Sequence, residues 1–277
     1  MSGWTYDAVY GIVCYRMVCG LCSLYSWGYY GVLFVSFFAS SFILKNFLDG
    51  IREDDILVSA FPLNYPLYIT IIIISLYLVL ISAISISRER EQGTLEVLFY
   101  GPVTSKNFLM AKFWKDFFLG VISLGFTAVY FFLVSFFTNL GFTPGLVRAL
   151  IMGVFLISCV VSFGLFISSL TSRVRSSVIT LIAVFGAFLA IQFSYSTLLG
   201  LEKESLPTSL FYVRETLQLV FKGINWVSPF AYLSRGLDSV ILDNWSLFFT
   251  NVLYCIVYVV IFLSLSIFIM NRRGVKA

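Results

Sequence analysis

Residues 88–112 read Arg88-Glu-Arg-Glu-Gln-Gly-Thr-Leu-Glu-Val-Leu-Phe-Tyr-Gly-Pro-Val-Thr-Ser-Lys-Asn-Phe-Leu-Met-Ala-Lys112. The stretch joins two long apolar runs and is dense in charge where both neighbours have almost none. Arg88, Glu89, Arg90 and Glu91 cannot lie in hydrocarbon without a large cost, so the chain must leave a bilayer here. Gly93 gives a flexible break. Thr94 is placed to cap a short helix running to about Tyr100, with Glu96 in its first turn, where the helix dipole favours an anion. Leu95, Leu98 and Phe99 fall at i, i+3 and i+4 and share one face. Gly101-Pro102 stops the helix. The spacing predicts a short rod outside the membrane with an exposed apolar and acidic face, fit to dock into a pocket on another protein. A polar loop with one helical turn satisfies the same residues.

Outward from this stretch the chain is apolar. Of 277 residues, 60% are hydrophobic and 12% charged, about half the charge of a soluble domain. An all-α polytopic membrane protein is expected, with one transmembrane domain over 1–277. Six runs are long enough to cross ~30 Å of hydrocarbon at ~1.5 Å rise per residue: 28–47, 66–87, 107–138, 147–171, 178–199 and 246–270, with 88–106 as the loop between the second and third. Residues 4–24 are apolar but hold Arg16 at their centre and abut the next run too closely to form a hairpin across a bilayer. They read as a helix lying in the interface, with Trp4, Tyr6, Tyr10 and Tyr15 at headgroup depth. The N-terminus lacks the basic start and small-residue cleavage site of a secretory signal.

Charge sets the sidedness. Residues 4–24, the loop 88–116, the turn 172–177 and the tail after 270 carry eleven of the eighteen Lys and Arg residues. The short loops on the other side carry Lys45, Arg52 and Arg148, and the remaining four lie in one long segment where the rule is weaker. Both termini and the 88–106 loop are therefore expected in the cytoplasm, and the chain in the cell membrane. Lys112 and Asp116, four residues apart, can pair at the membrane edge.

The outer segment 205–243 is helical by pattern. Leu210, Val213, Leu217, Val220 and Phe221 share a face over 207–222, and Gly223 stands as a stop. Ser228-Pro229 then opens a second amphipathic helix after the link Ile224-Asn-Trp-Val. The pair can cap an outer mouth or lie on lipid.

Several chemistries lack their residues. Histidine is absent, which removes the commonest general base and metal ligand, and no catalytic residue or metal site is assigned. The five cysteines, Cys14, Cys19, Cys22, Cys159 and Cys255, read as small apolar helix residues, the Cys19-x-x-Cys22 spacing having no partner pair. No Gly-x-x-x-x-Gly-Lys-Ser/Thr is present to bind ATP. No basic cluster interleaved with aromatics suggests nucleic acid. The spans carry no charge near their middles, which weighs against proton- or ion-coupled carriers. Small residues four apart, Ala183/Ala187 and Gly186/Ala190, allow close helix approach in the fifth span.

The run Glu89-Arg-Glu-Gln-Gly-Thr-Leu-Glu-Val-Leu98, then Pro102-Val103, then Lys112, resembles the cytoplasmic loop after the second span in permeases of the ABC-2 family, the membrane subunits of type-2 ABC exporters. Phe99-Tyr100-Gly101 departs from it, standing where the family more often has Leu and a small hydroxyl residue. The resemblance implies that this loop forms a coupling helix inserted into an ATP-hydrolysing partner, with Glu89, Glu91, Gly93, Thr94, Leu95, Glu96, Leu98, Phe99 and Pro102 in contact. It implies a second, smaller contact at Arg173 and Arg175, and an elbow helix at the N-terminus. ATP and Mg would then sit on separate ABC ATPase subunits, this chain holding no cofactor of its own. A second permease copy would pair with it, as a homodimer or related heterodimer, in contact with membrane lipid. The family forms its route between second and fifth spans, which makes Ser75, Ser82 and Gln192 candidates to line it. Export of an amphipathic, lipid-like, glycan or drug-like cargo follows from the same resemblance. A stand-alone channel or secondary carrier is the alternative, and an intramembrane enzyme is disfavoured for want of a base.

Overall fold

The computed structural model describes residues 27–54, 63–95, 104–138, 143–199 and 208–273. The proposed interfacial helix at 4–24 lies outside these residues, as do Glu96, Leu98, Phe99 and Pro102 of the proposed rod. The architecture is all helical: α1 (Trp27–Asp54), α2 (Asn64–Glu91), α3 (Ser105–Thr138), α4 (Pro144–Leu170), α5 (Val174–Leu199), α6 (Thr208–Val227), α7 (Pro229–Ile241) and α8 (Trp245–Arg273). Six of them, α1 to α5 and α8, are long and apolar enough to cross a membrane.

The helix α4 forms the centre of the bundle. Its sequence is apolar on every side, as a helix without a solvent face must be, and it packs against α2, α3, α5, α7 and α8. In its most apolar stretch 67% of residues are buried, against 11% in α5. The seam between α2 and α4 is tight because small residues meet there. A Cβ on Gly164 would stand 2.7 Å from the Ser82 Cβ and 2.9 Å from the Val79 carbonyl oxygen, so only glycine lets the two backbones approach this closely. On the other flank of α4, Cys159 donates a long hydrogen bond to the Cys255 carbonyl of α8 (3.6 Å).

The bundle has two ends. One, termed the near end, carries residues 88–95 and the turn between α4 and α5. The far end carries α6 and α7, which fold back against the spans. Gly223 does not stop α6, which continues through the expected link to Val227. The last carbonyls of α6 find side-chain donors from α7, which removes the need for an early stop. The Tyr232 hydroxyl donates to the Trp226 carbonyl (2.8 Å) and Arg235 to the Asn225 carbonyl (3.2 Å). Burial pushes the Tyr232 phenol up to about 12, so it stays a donor. Ser228, extended at φ −73° and ψ 121°, precedes Pro229 at the head of α7, and its hydroxyl makes no capping bond. Gly236 packs α7 directly onto Met152 of α4, where a Cβ would lie 2.4 Å from the Met152 Cγ. Beyond α7 the chain reverses at Asp243 (φ 49°). Arg148 of α4 holds that turn through the Asp243 carboxylate (2.5 Å) and lies over the Trp245 ring (4.4 Å).

Candidate functional site: the charged end of the second span

The apolar run of α2 ends in Arg88-Glu89-Arg90-Glu91, and the helix continues through all four. At ~100° per residue, four successive side chains point in four directions. Arg88 is exposed. Glu89 turns to α3 and pairs with Lys112 (2.5 Å). Arg90 reaches the end of α4, its guanidinium donating to the Thr171 carbonyl (2.9 Å) and the Ser169 carbonyl (3.4 Å). Glu91 reaches the start of α5 and accepts the Val174 N–H (2.9 Å).

The signs match the helix ends. The C-terminus of a helix is partially negative and its N-terminus partially positive. There is no basic residue in the last turn of α4 and no acidic residue in the first turn of α5. Adjacent residues of α2 supply both missing charges, a cation to one helix end and an anion to the other. The α4–α5 turn is thereby held by the helix that leads into the 93–103 segment. Hydroxyls close the same seam: Ser168 accepts from the Ile86 and Ser87 N–H groups (3.0 Å each), and Ser177 donates to the Ala83 carbonyl (2.5 Å).

Gly93 ends α2 by turning left-handed (φ 69°), with Gln92 N–H bonding the Arg88 carbonyl and Gly93 N–H the Arg90 carbonyl. This is a fixed helix stop rather than the expected loose break, because the reversal satisfies carbonyls that would otherwise be orphaned. Thr94 likewise acts backward. Its hydroxyl donates to the Glu89 carbonyl (3.1 Å) and so helps to close α2; the N–H groups it was expected to cap lie outside the described residues. Helical backbone resumes at Thr94 and Leu95. Leu95, expected on an exposed docking face, is only 7% exposed and joins the hydrophobic core. An apolar side chain beside the buried ends of three spans gains more from the core than from water.

The expected Lys112–Asp116 anchor is organised differently. Lys112 pairs with Glu89, while Asp116 is fully buried, accepts the Ser82 hydroxyl (2.9 Å) and lies 3.5 Å from the Lys115 ammonium. Lys112 still acts on Asp116 through space. The carboxylate belongs to the interior between α2 and α3.

Arg173 and Arg175 are exposed at the near end, beside Val174. Thus Glu89, Glu91, Gly93, Thr94, Leu95, Arg173 and Arg175 gather at one end of the bundle. The three residues suggested for a pathway do not come together. Ser75 is buried with its hydroxyl on the Ile72 carbonyl (2.9 Å), and Ser82 is held by Asp116 against Gly164. Both hydroxyls are engaged inside the protomer. Gln192 is exposed on α5 toward the far end and lines a cavity there with Tyr68 of α2. Among the described residues no three His, Cys, Asp or Glu side chains stand close enough to hold a metal ion. Sequence reading overlooked Arg90, Ser168 and Ser177 as members of this site. The one available signal was the alternation of charge at the end of α2 opposite a turn, 172–177, whose flanking helices lack a basic residue at the end of α4 and an acidic one at the start of α5.

Six helices long and apolar enough to cross a membrane, five of them around the mostly buried α4, with a charged hub at one end, define a multi-pass membrane protein. The model of the ABC-2 family transporter protein matches residues 25–274, and the chain belongs to that family. It is a permease component of an ABC transporter, a transport subunit that is not itself catalytic, and its family implies an ABC ATPase as partner. No curated protein matches the chain.

Proposed function

We propose that this permease works as an exporter subunit whose near end faces the cytoplasm and receives an ATPase on the segment after Gly93 and on the Arg173–Arg175 turn. The observation that carries this reading is the double hold by Arg90 and Glu91. A push on the segment after Gly93 enters the last turn of α2, and that turn grips the ends of α4 and α5 through bonds of 2.9 Å each. One displacement is thus shared among three spans. ATP binding by the partner supplies the bias between two arrangements of the bundle, and the permease supplies the element that has two arrangements.

Two copies pair through α5, the least covered span. Ala183, Gly186, Ala187 and Ala190 are exposed along it, and a Cβ on Gly186 would meet nothing within 4 Å. Such a face lets a second helix come close. The cargo is an amphipathic, lipid-like, glycan or drug-like molecule.

The test is a reconstituted complex of this chain with its ABC ATPase. Gly93→Pro demands φ near −65° where the chain stands at 69°, and Glu96→Lys reverses the charge on the docking segment. Each is expected to leave ATP hydrolysis running and abolish ATP-driven transport, while Gly93→Asn, which tolerates the left-handed region, retains it. Wild-type transport by both disruptive variants, or transport by the chain without any ATPase, overturns the proposal.

A further inference from the structure

At the far end, α6 and α7 meet the outer turns of α2 and α5 around a cavity of about 270 Å³. Its walls are chemically mixed. Tyr68, Phe188, Phe221 and Phe230 supply aromatic faces, and Arg235 and Asp238, one turn apart on α7, supply opposite charges. Among the described residues neither charge has an ion-pair partner. The Arg235 guanidinium is clamped, donating to the Asn225 carbonyl (3.2 Å) with its carbon 5.5 Å from the Trp226 ring centre and 5.6 Å from that of Tyr232. That clamp takes one of five N–H donors and leaves a pre-aimed fork for an anion. Asp238 is exposed, and with the aromatic faces around it can hold an ammonium, by charge and by cation–π attraction.

Two opposite charges that face one pocket without pairing are complementary to a ligand that carries both. The volume lies below the roughly 300–1,000 Å³ of pockets for drug-sized molecules, so the group bound is small. We infer that this cavity is a binding site for a zwitterionic head group, its phosphate or carboxylate on Arg235 and its ammonium between Asp238 and the aromatic walls. A phospholipid head group and a free zwitterion share this chemistry. The inference concerns binding by this chain alone and stands apart from the proposed ATPase docking.

The experiment measures equilibrium binding to the full chain purified in a maltoside detergent. The probes are glycerophosphocholine, glycerol 3-phosphate, choline, glycine betaine and a short-chain phosphatidylcholine. Glycerophosphocholine is expected to bind about tenfold or more tightly than glycerol 3-phosphate or choline, which each satisfy one charge. Asp238→Asn, at an exposed position outside the core, is expected to weaken glycerophosphocholine about tenfold and leave glycerol 3-phosphate unchanged. Arg235→Gln, checked for folding by its elution profile, is expected to lose both. Short-chain phosphatidylcholine binding well above its head group assigns the site to lipid, whereas glycine betaine matching glycerophosphocholine assigns it to free zwitterions. Absence of zwitterion binding, equal affinity for the three glycerol and choline probes, or indifference to Asp238→Asn overturns the inference.

Discussion

The two ends of this bundle use charge in opposite ways. At the near end Glu89, Arg90 and Glu91 are each satisfied from within the protomer, by an ammonium, two carbonyls and a backbone N–H. At the far end Arg235 and Asp238 line a cavity and, among the described residues, have no ion-pair partner. Charges that close on helix ends remove freedom from those ends, and here they tie three spans to the last turn of α2. Charges left open can still meet something that arrives. On the two proposals above, the difference separates a part of the molecule that transmits from a part that binds.

The strongest way to break the comparison is to separate α2 from α4, on which the near-end hub depends. Gly164→Val places branched carbon where a single Cβ already overlaps α2, and is expected to cost about 3 kcal/mol and most of the folded yield, read by elution profile and thermal unfolding. Next is Ser82→Ala, which leaves a buried Asp116 oxygen without its 2.9 Å donor; a loss of about 2 kcal/mol is expected. Glu91→Ala removes the anion at the start of α5, and about 1 kcal/mol of stability should go with it. Glu91→Gln should restore part of that loss, because an amide oxygen can still accept the Val174 N–H. Smallest is the pair Arg173→Ala and Arg175→Ala. Both side chains are exposed, so stability should hold within about 0.5 kcal/mol while ATPase co-purification falls. A large stability loss in that double variant would mean that the two arginines serve the fold and not a partner.

The spans were legible because hydrocarbon imposes a length and a composition that any sequence shows directly. The amphipathic faces of α6 and α7 were legible for the same kind of reason, a period that repeats along one chain. What was hidden depends on neighbours in space. Gly223 reads as a stop until Tyr232 and Arg235 are seen to satisfy the carbonyls beyond it. Lys112 and Asp116 read as a pair until Glu89 and Ser82 compete for them. Ser75 and Ser82 read as pathway candidates only through the family resemblance, because a sequence does not say which polar group already holds another. The Arg-Glu-Arg-Glu run reads from sequence as an exit from the membrane, but its fan toward three different helices needed the geometry of α3, α4 and α5.

The length of α3 has a mechanical consequence. Its 34 residues make a rod of about 51 Å, well beyond the ~30 Å that hydrocarbon requires. It is fastened to α2 near one end, at Lys112 and Asp116, and to α1 further along, where the Tyr29 and Ser123 hydroxyls share a hydrogen bond (3.1 Å) and the Tyr130 ring stacks on Phe37. A rod held at two levels against two different helices ties α1 to the charged end of α2.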